Sequence, residues 1–231
     1  MTDYTWINGK PLCLFGGLLL ASYEVGQGAL SFDRIDSPAG SGFVVSGRTI
    51  GLRTIKLPVH ILGDTPEDTQ ERASLFLREF SSGQVELGLP DGYLYFAVLT
   101  KQDGPTFVTE EQISLTLTLQ GIRCRPMETI TGGSFSALGT LPEMDCIIET
   151  TVGADAQTYT VAGITFSGGD RFAGVQQGEQ IVIDGIHKTV TIDGQPAVDR
   201  CDLIEFPRVR PGPNAIEGPD PITVKYYPTY L

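Results

Sequence analysis

Two histidines are the first candidates in this sequence for acid–base chemistry or metal binding. His60 falls on the polar side of an alternating segment, and His187 falls in a predicted turn far along the chain. Neither has a partner at a metal-ligand spacing such as H-x-x-x-H, and no nucleophile elbow, Walker loop or dinucleotide fingerprint is present. We therefore predict no catalytic residue, no metal ligand and no cofactor-binding residue, and we interpret both histidines as bystanders.

Carboxylates need separate treatment, because a glycosidase can take its catalytic pair from distant strands and leave no local motif. Glu67 and Asp68 fit the start of a helix, and Glu110 and Glu111 fit a loop. A further acidic group lies close together in the sequence: Asp193, Asp199, Asp202 and Glu205. These residues lack the D-x-[DN]-x-[DN]-G order of a calcium loop, so a solvated acidic loop is favoured over a calcium site. A hydrolase is the least supported class of function.

Three tyrosines near the C-terminal end, Tyr226, Tyr227 and Tyr230, could stack on sugar rings if they were exposed. The segment Ile222 to Tyr227 alternates like a closing strand, and tyrosines on such a strand more often cover a core. We therefore predict weak or no binding of free sugars.

Composition narrows the remaining classes. The chain of 231 residues carries 28 glycines, 15 prolines and 41% hydrophobic residues, which indicates many turns, short strands and a packed core rather than disorder. A length of this size suits two domains of about 100 residues each. The formal charge of −12 argues against binding to nucleic acid or to an anionic membrane surface.

Four cysteines are widely spaced without a C-x-x-C pair, which favours free thiols in a protein made in a reducing cytosol: Cys13, Cys124, Cys146 and Cys201. The apolar run Leu12 to Ala21 is too short to cross a bilayer and is split by Gly16-Gly17. We interpret it as part of one or two buried strands within Trp6 to Tyr23 rather than as a signal peptide.

The first half predicts strands around a single helix. Leu52 to Leu62 alternates, with Pro58 indicating an edge strand or an unpaired amide position. Thr65 and Pro66 fit the cap and first position of a helix over about 65–82, whose apolar stripe ends before Gly83. Buried Tyr93 to Thr100 and half-buried Ile113 to Gln120 follow as strands.

Gly26 to Gly51 predicts a long hairpin. Two apolar arms, Ala29 to Ile35 and Phe43 to Ile50, enclose the loose tip Asp36 to Gly42. Such a hairpin is either an ordinary surface hairpin or an arm that reaches a neighbouring subunit. The residues that an interface arm would present are Ala29, Phe32, Ile35, Phe43, Val45 and Ile50.

The second half predicts short strands alone. Arg125 to Leu141 is rich in glycine and proline and is the expected link between domains, with the boundary near Met127. Beyond it, Cys146 to Val152, Thr158 to Phe166 and Glu179 to Asp184 alternate, and glycines mark the turns between them. Asp184-Gly185 and Asp193-Gly194 are hairpin signals within a β-sandwich.

The order of these C-terminal motifs, GEQIVIDG, KTVTIDG, FPRVRPGPNAI and a last aromatic strand, resembles the end of the siphophage distal tail proteins. The segments RTIKLPVHILGDTPEDTQERASLFLREFSSGQVELGLPDGYLYFAVLT and LTLTLQGIRCRP resemble that family's strand–helix–strand unit and the strand that leaves its first domain. The resemblance covers most of the chain through diffuse motifs in the correct order.

This resemblance implies a mainly β protein of two domains. Residues 1–127 would form a ring-forming β domain with one helix and a long hairpin arm, and residues 128–231 a galectin-like β-sandwich. The family implies a structural, non-enzymatic hub at a phage tail tip, an oligomeric and typically hexameric ring without cofactors, assembled in the host cytoplasm. Its partners would be itself, the tail tube protein and baseplate or receptor-binding proteins, with no nucleic-acid binding and no membrane insertion. The alternative is an adhesion module for host carbohydrate.

Overall fold

The computed structural model describes residues 5–20, 22–28, 30–36, 43–167 and 174–231, with the backbone alone for 30–36 and 43–50. Contacts divide the chain into two compact units, Met1–Cys124 with Leu231, and Arg125–Tyr230. Each unit encloses its own cluster of buried apolar residues. The predicted mainly β fold with one helix and a long hairpin is confirmed.

The first unit contains ten strands among the described residues: β1 Trp6–Ile7, β2 Lys10–Pro11, β3 Gly17–Leu19, β4 Glu24–Val25, β5 Leu30–Asp36, β6 Phe43–Ile50, β7 Arg53–Leu62, β8 Gln84–Gly88, β9 Leu94–Thr109 and β10 Gln112–Cys124. Its main sheet has the order β2-β1-β8-β9-β10-β7-β3, and β4 also pairs with β7. Strands β5 and β6 pair with each other as a separate ribbon.

Alternation decides which face of this sheet is buried. Ile55, Leu57, Val59 and Ile61 on β7 are at most 2% exposed, as are the matching leucines of β10. Strand β7 is not an edge strand, because it has partners on both sides. β10 pairs along one side, with Thr116 opposite Pro58. On the other side, β3 pairs at Val59 to Ile61 and β4 at Ile55 and Lys56, so Pro58 falls between the two paired stretches.

The helix α1, Pro66–Arg78, starts as the sequence predicts. Thr65 is the cap, and its Oγ1 accepts a hydrogen bond of 3.2 Å from the backbone N–H of Asp68. Pro66 occupies the first turn, where a missing N–H costs nothing. The buried side of the helix places Ala73 and Phe76 on the sheet.

The helix ends earlier than the predicted 65–82. The N–H of Phe80 donates to the carbonyl of Leu77, and that of Ser81 donates to Arg78, so the chain tightens into three-residue turns. Ser81 Oγ also donates to the Arg78 carbonyl at 2.7 Å. These bonds satisfy the last helical carbonyls, and Gly83, with φ of +94°, redirects the chain towards β8.

Two further predictions for this unit are wrong. Leu12–Phe15 is a 3-10 helix, not a strand, because Gly16 adopts φ of +64° and caps a tight turn. Strand β9 does not end at Thr100 and is not buried throughout. Tyr95 and Ala97 are buried, whereas Val98 is 45% exposed and the whole stretch 100–109 is exposed. Apolar residues on both faces of a strand therefore did not indicate that both faces are covered.

The second unit contains twelve strands among its described residues: β11 Glu128–Thr131, β12 Ser134–Ala137, β13 Met144–Thr151, β14 Thr158–Val161, β15 Ile164–Ser167, β16 Gln180–Asp184, β17 Thr189–Ile192, β18 Gln195–Pro196, β19 Arg208–Val209, β20 Gly212–Ala215, β21 Ile222–Tyr226 and β22 Thr229–Tyr230. The larger sheet has the order β11-β21-β13-β16-β17-β18, with β19 also paired to β13. The pairs β12–β20 and β14–β15 form two smaller sheets, and all three contribute to one core.

The predicted link Arg125 to Leu141 is structured. It contains β11, which pairs with β21, and β12, which pairs with β20. Short β-prone stretches on either side of Gly132-Gly133 resemble a loop in composition, but they become strands because segments far along the chain pair with them.

The Asp193-Gly194 hairpin signal is confirmed. These two residues have φ of +50° and +75° and join β17 to β18, as a tight turn with two positive φ angles requires. Asp184-Gly185 instead opens a longer loop. There, Asp184 Oδ1 accepts hydrogen bonds from the N–H groups of Ile186 and His187.

Candidate assembly surfaces

The two histidines lie in different units and serve local structure. The Nδ1 atom of His60 lies 2.6 Å from Nε2 of Gln112, its neighbour across the β7–β10 pair. The Nδ1 atom of His187 lies 2.7 Å from Asp184 Oδ2 in an exposed turn. Ser114 lies opposite His60 in the β7–β10 pair, but no described hydrogen bond joins either imidazole to a Ser, Thr or Cys side chain.

The acidic loop of the second unit is occupied by local bonds. Asp193 Oδ1 accepts a hydrogen bond from the N–H of Gln180, and Asp202 Oδ1 accepts one from the N–H of Thr165. Glu205 forms an ion pair with Arg208 at 2.9 Å. Within the described part of the chain, no three His, Cys, Asp or Glu side chains are grouped so that they could hold a metal ion.

The C-terminal tyrosines do not form an open platform. Tyr226 is fully buried, and its hydroxyl donates to Glu128 Oε2 at 3.0 Å while accepting from the N–H of Leu138 at 2.9 Å. Burial, with the neighbouring Glu128, raises the pKa of Tyr226 to about 12. Tyr227 and Tyr230 are half-buried. Tyr226 is therefore a core residue.

A polar cleft of about 290 Å³ lies on the second unit. Its lining is Glu149, Thr150, Thr151, Gln180, Pro221 and Thr223. Glu149 pairs with Lys225 at 2.6 Å. No aromatic ring lines this cleft, so it offers hydrogen bonds but no stacking surface for a sugar ring.

The most distinctive surface of the first unit is one edge of its sheet, formed by residues 99–109 of β9. Strand β8 covers only Leu94 to Val98, whereas β10 pairs along β9 from Leu94 to Thr109. No described strand pairs with the other side of 99–109. Phe107 and Val108 on this edge are 48% and 54% exposed. We call residues 99–109 the long edge.

The opposite side of the same sheet ends at β3 and β4, which pair with β7 and with no further described strand. Exposed leucines cluster around it. Leu18 lies on β3 opposite His60, Leu62 ends β7, and Leu14 precedes β3; their exposed fractions are 49%, 39% and 66%. We call β3 and β4 with these leucines the short edge. One sheet thus carries two different unpaired edges, each with exposed apolar side chains.

The predicted arm is present in the backbone. Strands β5 and β6 pair antiparallel from Leu30 opposite Ile50 to Asp36 opposite Phe43, with a register shift between Asp33 and Arg34. Ala29 lies outside the described residues, as do the side chains of the other predicted arm residues, Phe32, Ile35, Phe43, Val45 and Ile50. Their role as an interface stays a prediction.

Sequence reasoning missed the long edge. The stretch Lys101 to Thr106 contains polar residues and Gly104-Pro105, which together resemble a loop. The only signal was the short β-prone run Thr106 to Thr109 just before the clearly alternating β10. A strand as long as β10 needs a partner of comparable length on at least one side, and β9 supplies it.

No protein-family model matches this chain, and no curated protein matches it. Solved structures do match. The Dit protein of phage SPP1, described as a paradigm of the hub adsorption apparatus in phages infecting Gram-positive hosts, aligns with a TM-score of 0.69 and 14% identity over 99% of each chain.

Two structures of the phage p2 baseplate in its activated conformation also match at 10% identity. The one with Ca has a TM-score of 0.56 over 90% of this chain and 91% of that chain. The one with Sr has a TM-score of 0.59 over 94% and 92%. The chain has the fold of these phage tail hub and baseplate proteins, as the sequence resemblance predicts.

Proposed function

We propose that this chain is a structural hub at the tail tip of a long-tailed bacteriophage, where copies of it assemble into a closed ring, with six as the expected number. The proposal combines the fold similarity to tail hub proteins with the two unlike edges of the first unit. In this proposal, the ring joins the tail tube protein on one side to baseplate or receptor-binding proteins on the other.

The two edges are the observation that carries the proposal. If the long edge of one copy meets the short edge of the next, the contact is head-to-tail, and such a contact generates a ring when its rotation closes. Pairing would satisfy the unpaired backbone groups of residues 99–109 and remove Phe107 and Val108 from water. The β5–β6 arm would add a second contact between neighbouring copies in the ring.

We propose different roles for the two units. Residues 1–127 would form the ring, and residues 128–231 would lie at its periphery as a galectin-like sandwich. The outermost strands of the larger second sheet are short: β18 has two residues, one of them Pro196, and β11 has four. Pro196 has no N–H to offer a neighbouring strand, and neither β18 nor β11 carries an exposed large apolar side chain like the leucines of the short edge. We therefore expect this unit to need no neighbour.

A non-enzymatic role is consistent with the local contacts of the histidine and carboxylate side chains that catalysis would need. His187 is held by Asp184, and Asp193, Asp202 and Glu205 are held by backbone or arginine donors. In the described part of the chain, no helix has the length and apolar character needed to cross a membrane. The partners we propose are other virion proteins, without nucleic-acid binding or membrane insertion, and the formal charge of −12 supports this choice.

Carbohydrate adhesion is the second candidate, favoured by the cleft at Glu149 and Thr223. We expect its affinity for free sugars to be weak, since no ring lines it. Calorimetric titration of a host polysaccharide tests this directly. Saturable binding that is lost on Glu149→Gln, with ring mass unchanged, would favour adhesion as an added role.

The ring is tested by solution mass. Phe107→Asp places a charge on the long edge, and we expect the ring to dissociate at a protein concentration at least about tenfold higher than wild type, since burying a phenylalanine contributes about 1.5–3 kcal/mol. Leu138→Asp, in the second unit, is the matched control, because Leu138 is 46% exposed. Equal mass of both variants across a dilution series would contradict the proposal.

The arm has its own test. Replacing residues 31–46 by a short Gly-Ser linker removes the pairing between β5 and β6, and we expect a folded but dissociated protein. Circular dichroism checks folding, and light scattering measures the mass. If the ring keeps its mass without the arm, the hairpin is an ordinary surface feature.

A further inference from the structure

Ile204 is an unusual residue for the surface of the second unit. Its exposed fraction is 99%, whereas its neighbour Leu203 packs against the core. A fully exposed isoleucine is unremarkable alone, but here a second apolar side chain, Val198, is 51% exposed in the same segment. The loop 198–206 therefore packs Cys201, Leu203 and Phe206 against the core and presents two apolar side chains, Val198 and Ile204, outward.

The loop that carries Ile204 is anchored before it. The N–H of Asp202 donates to the Thr165 carbonyl at 3.0 Å, and Asp202 Oδ1 accepts the Thr165 N–H in return. Cys201 forms a β-bridge with Phe166, and Leu203 then enters the core. These contacts fix the position from which Ile204 projects.

The loop is anchored equally firmly after Ile204. The Sγ–H of buried Cys146 donates to the Pro207 carbonyl at 3.3 Å. Arg208 and Val209 then pair with β13. An apolar side chain held in place on both sides loses little conformational freedom on binding, so it is suited to a specific contact.

Charge indicates the chemistry of the partner. Asp199, Asp202 and Glu205 surround Ile204 in sequence, and all three are exposed. Glu205 is paired with Arg208, but Arg208 is shared with Glu143 and Asp145, so carboxylates remain in excess at this surface. A second copy docking through this loop would bring the same carboxylates together, which is unfavourable. A surface with lysine or arginine around an apolar socket would be complementary in both respects.

We propose that Ile204 is a docking residue for a different protein, one that offers an apolar socket bordered by basic side chains. The inference rests on the proposed function, because the partner would be another protein of the assembled tail tip. Ile204 would fill the socket, Val198 would extend the apolar contact, and the carboxylates of Asp199 and Glu205 would face the basic border.

Photo-cross-linking in assembled tails tests this inference. The variant Ile204→p-benzoylphenylalanine is placed in particles of the phage that encodes this chain, and Glu217→p-benzoylphenylalanine, at an exposed position elsewhere in the unit, is the control. We expect position 204 to cross-link to one other tail protein at a site where apolar residues adjoin lysine or arginine, with a yield at least about five times that of the control.

The outcomes separate this inference from the proposed function. Tails that contain the chain but give no cross-link at 204 above the control, or a cross-link to another copy or to an acidic surface, overturn the docking inference alone. Purified tails that lack the chain contradict the proposed function and the docking inference with it.

Substitutions give a second readout. Ile204→Asp should lower the copies of the cross-linked protein per tail at least about tenfold and leave the mass of the purified ring unchanged, whereas Ile204→Leu should retain them. Unchanged copy number in Ile204→Asp tails would overturn the inference even if cross-linking occurs. Circular dichroism establishes that both variants fold.

Discussion

The two units differ in the strands that form the edges of their sheets. The first ends its sheet on an unpaired stretch of β9 and on β3 and β4, with exposed apolar side chains at both sides. The second ends its larger sheet on short strands, one containing Pro196. The comparison indicates where we expect assembly: on the first unit, whose unpaired strands carry exposed apolar side chains, and not at β11 or β18, which carry no exposed large apolar side chain.

Their cores differ as well. In the first unit, a helix covers one face of a single sheet, and Phe76 joins the two, with ring centroids 5.8 Å from Phe15 and 5.4 Å from Phe80. In the second, small sheets lie with a larger one around Ile148 and Ile183. Because the two cores share no residue, we expect each unit to respond separately to a change in its own core.

Phe76→Ala should break the first unit and give the largest effect. Phe76 is fully buried, so truncation should lower the free energy of unfolding of that unit by about 3–5 kcal/mol. The readout is alkylation of Cys124 and Cys146, one buried thiol in each unit, whose pKa values burial raises to about 12. Alkylation of Cys124 should accelerate and that of Cys146 should not.

The control for this variant is Leu75→Ala, at a helix position that is 38% exposed, which should change neither rate by more than about twofold. Equal acceleration at both thiols in Phe76→Ala would mean that the units unfold as one. That result would remove the independence on which the comparison depends.

Tyr226→Phe should affect the second unit in the same selective way. It leaves the carboxylate of Glu128 without its donor and the N–H of Leu138 without its acceptor, and we expect a loss of about 1–3 kcal/mol. A double-mutant cycle with Glu128→Ala, which removes the acceptor, followed by denaturant titration and Cys146 alkylation, isolates the Tyr226–Glu128 interaction. Additive effects would show that this hydrogen bond contributes nothing.

Thr65→Ala should weaken the first unit by about 1 kcal/mol, because it removes the acceptor for the Asp68 N–H at the helix start. Thr65→Ser keeps the oxygen and should retain most of the stability. Urea titration of both variants measures the difference. Equal losses would assign the effect to the threonine methyl group instead of the cap.

The smallest expected effect is on the stability of the first unit at acidic pH. The N–H of Asp64 and the side chain of Arg72 hold the pKa of Asp68 below its ordinary value of about 4. A lowered pKa in the folded state contributes stability above the unfolded value, and this stability is lost as pH falls through the folded value. Asp68→Asn should therefore flatten the decline of first-unit stability below about pH 4.

Glu71→Gln, exposed on the same helix, is the control for this pH series. It should leave the slope of stability against pH as in wild type. If Asp68→Asn and wild type decline in parallel as the solution is acidified, the hydrogen bonds of Asp68 do not contribute to the acid dependence.

The sequence predicted those structural features that depend on residues close together in the chain. The alternation of β7 and β10, the cap at Thr65 and the Asp193-Gly194 turn all depend on neighbours in sequence, and each occurs as expected. The extension of β9 to Thr109 depends on pairing with β10, which follows after two residues, and the strands within Arg125 to Leu141 depend on partners far along the chain. Composition alone assigns such stretches to loops.

The same distinction between local and non-local features applies to the candidate assembly surfaces. The hairpin between Leu30 and Ile50 was predictable from its two arms and its tip. The long edge was not, because an unpaired edge is defined by where its neighbour stops: β8 ends its pairing at Val98, which no property of residues 99–109 encodes. The exposure of Ile204 beside a core leucine likewise depends on how the loop is anchored.

Native mass spectrometry of the full chain beside residues 125–231 tests the central claim most directly. The account predicts a closed ring, with six copies as the expected number, for the full chain and a folded monomer for the second unit alone. A monomeric full chain at micromolar concentration, or a second unit that forms the ring without the first, would contradict it.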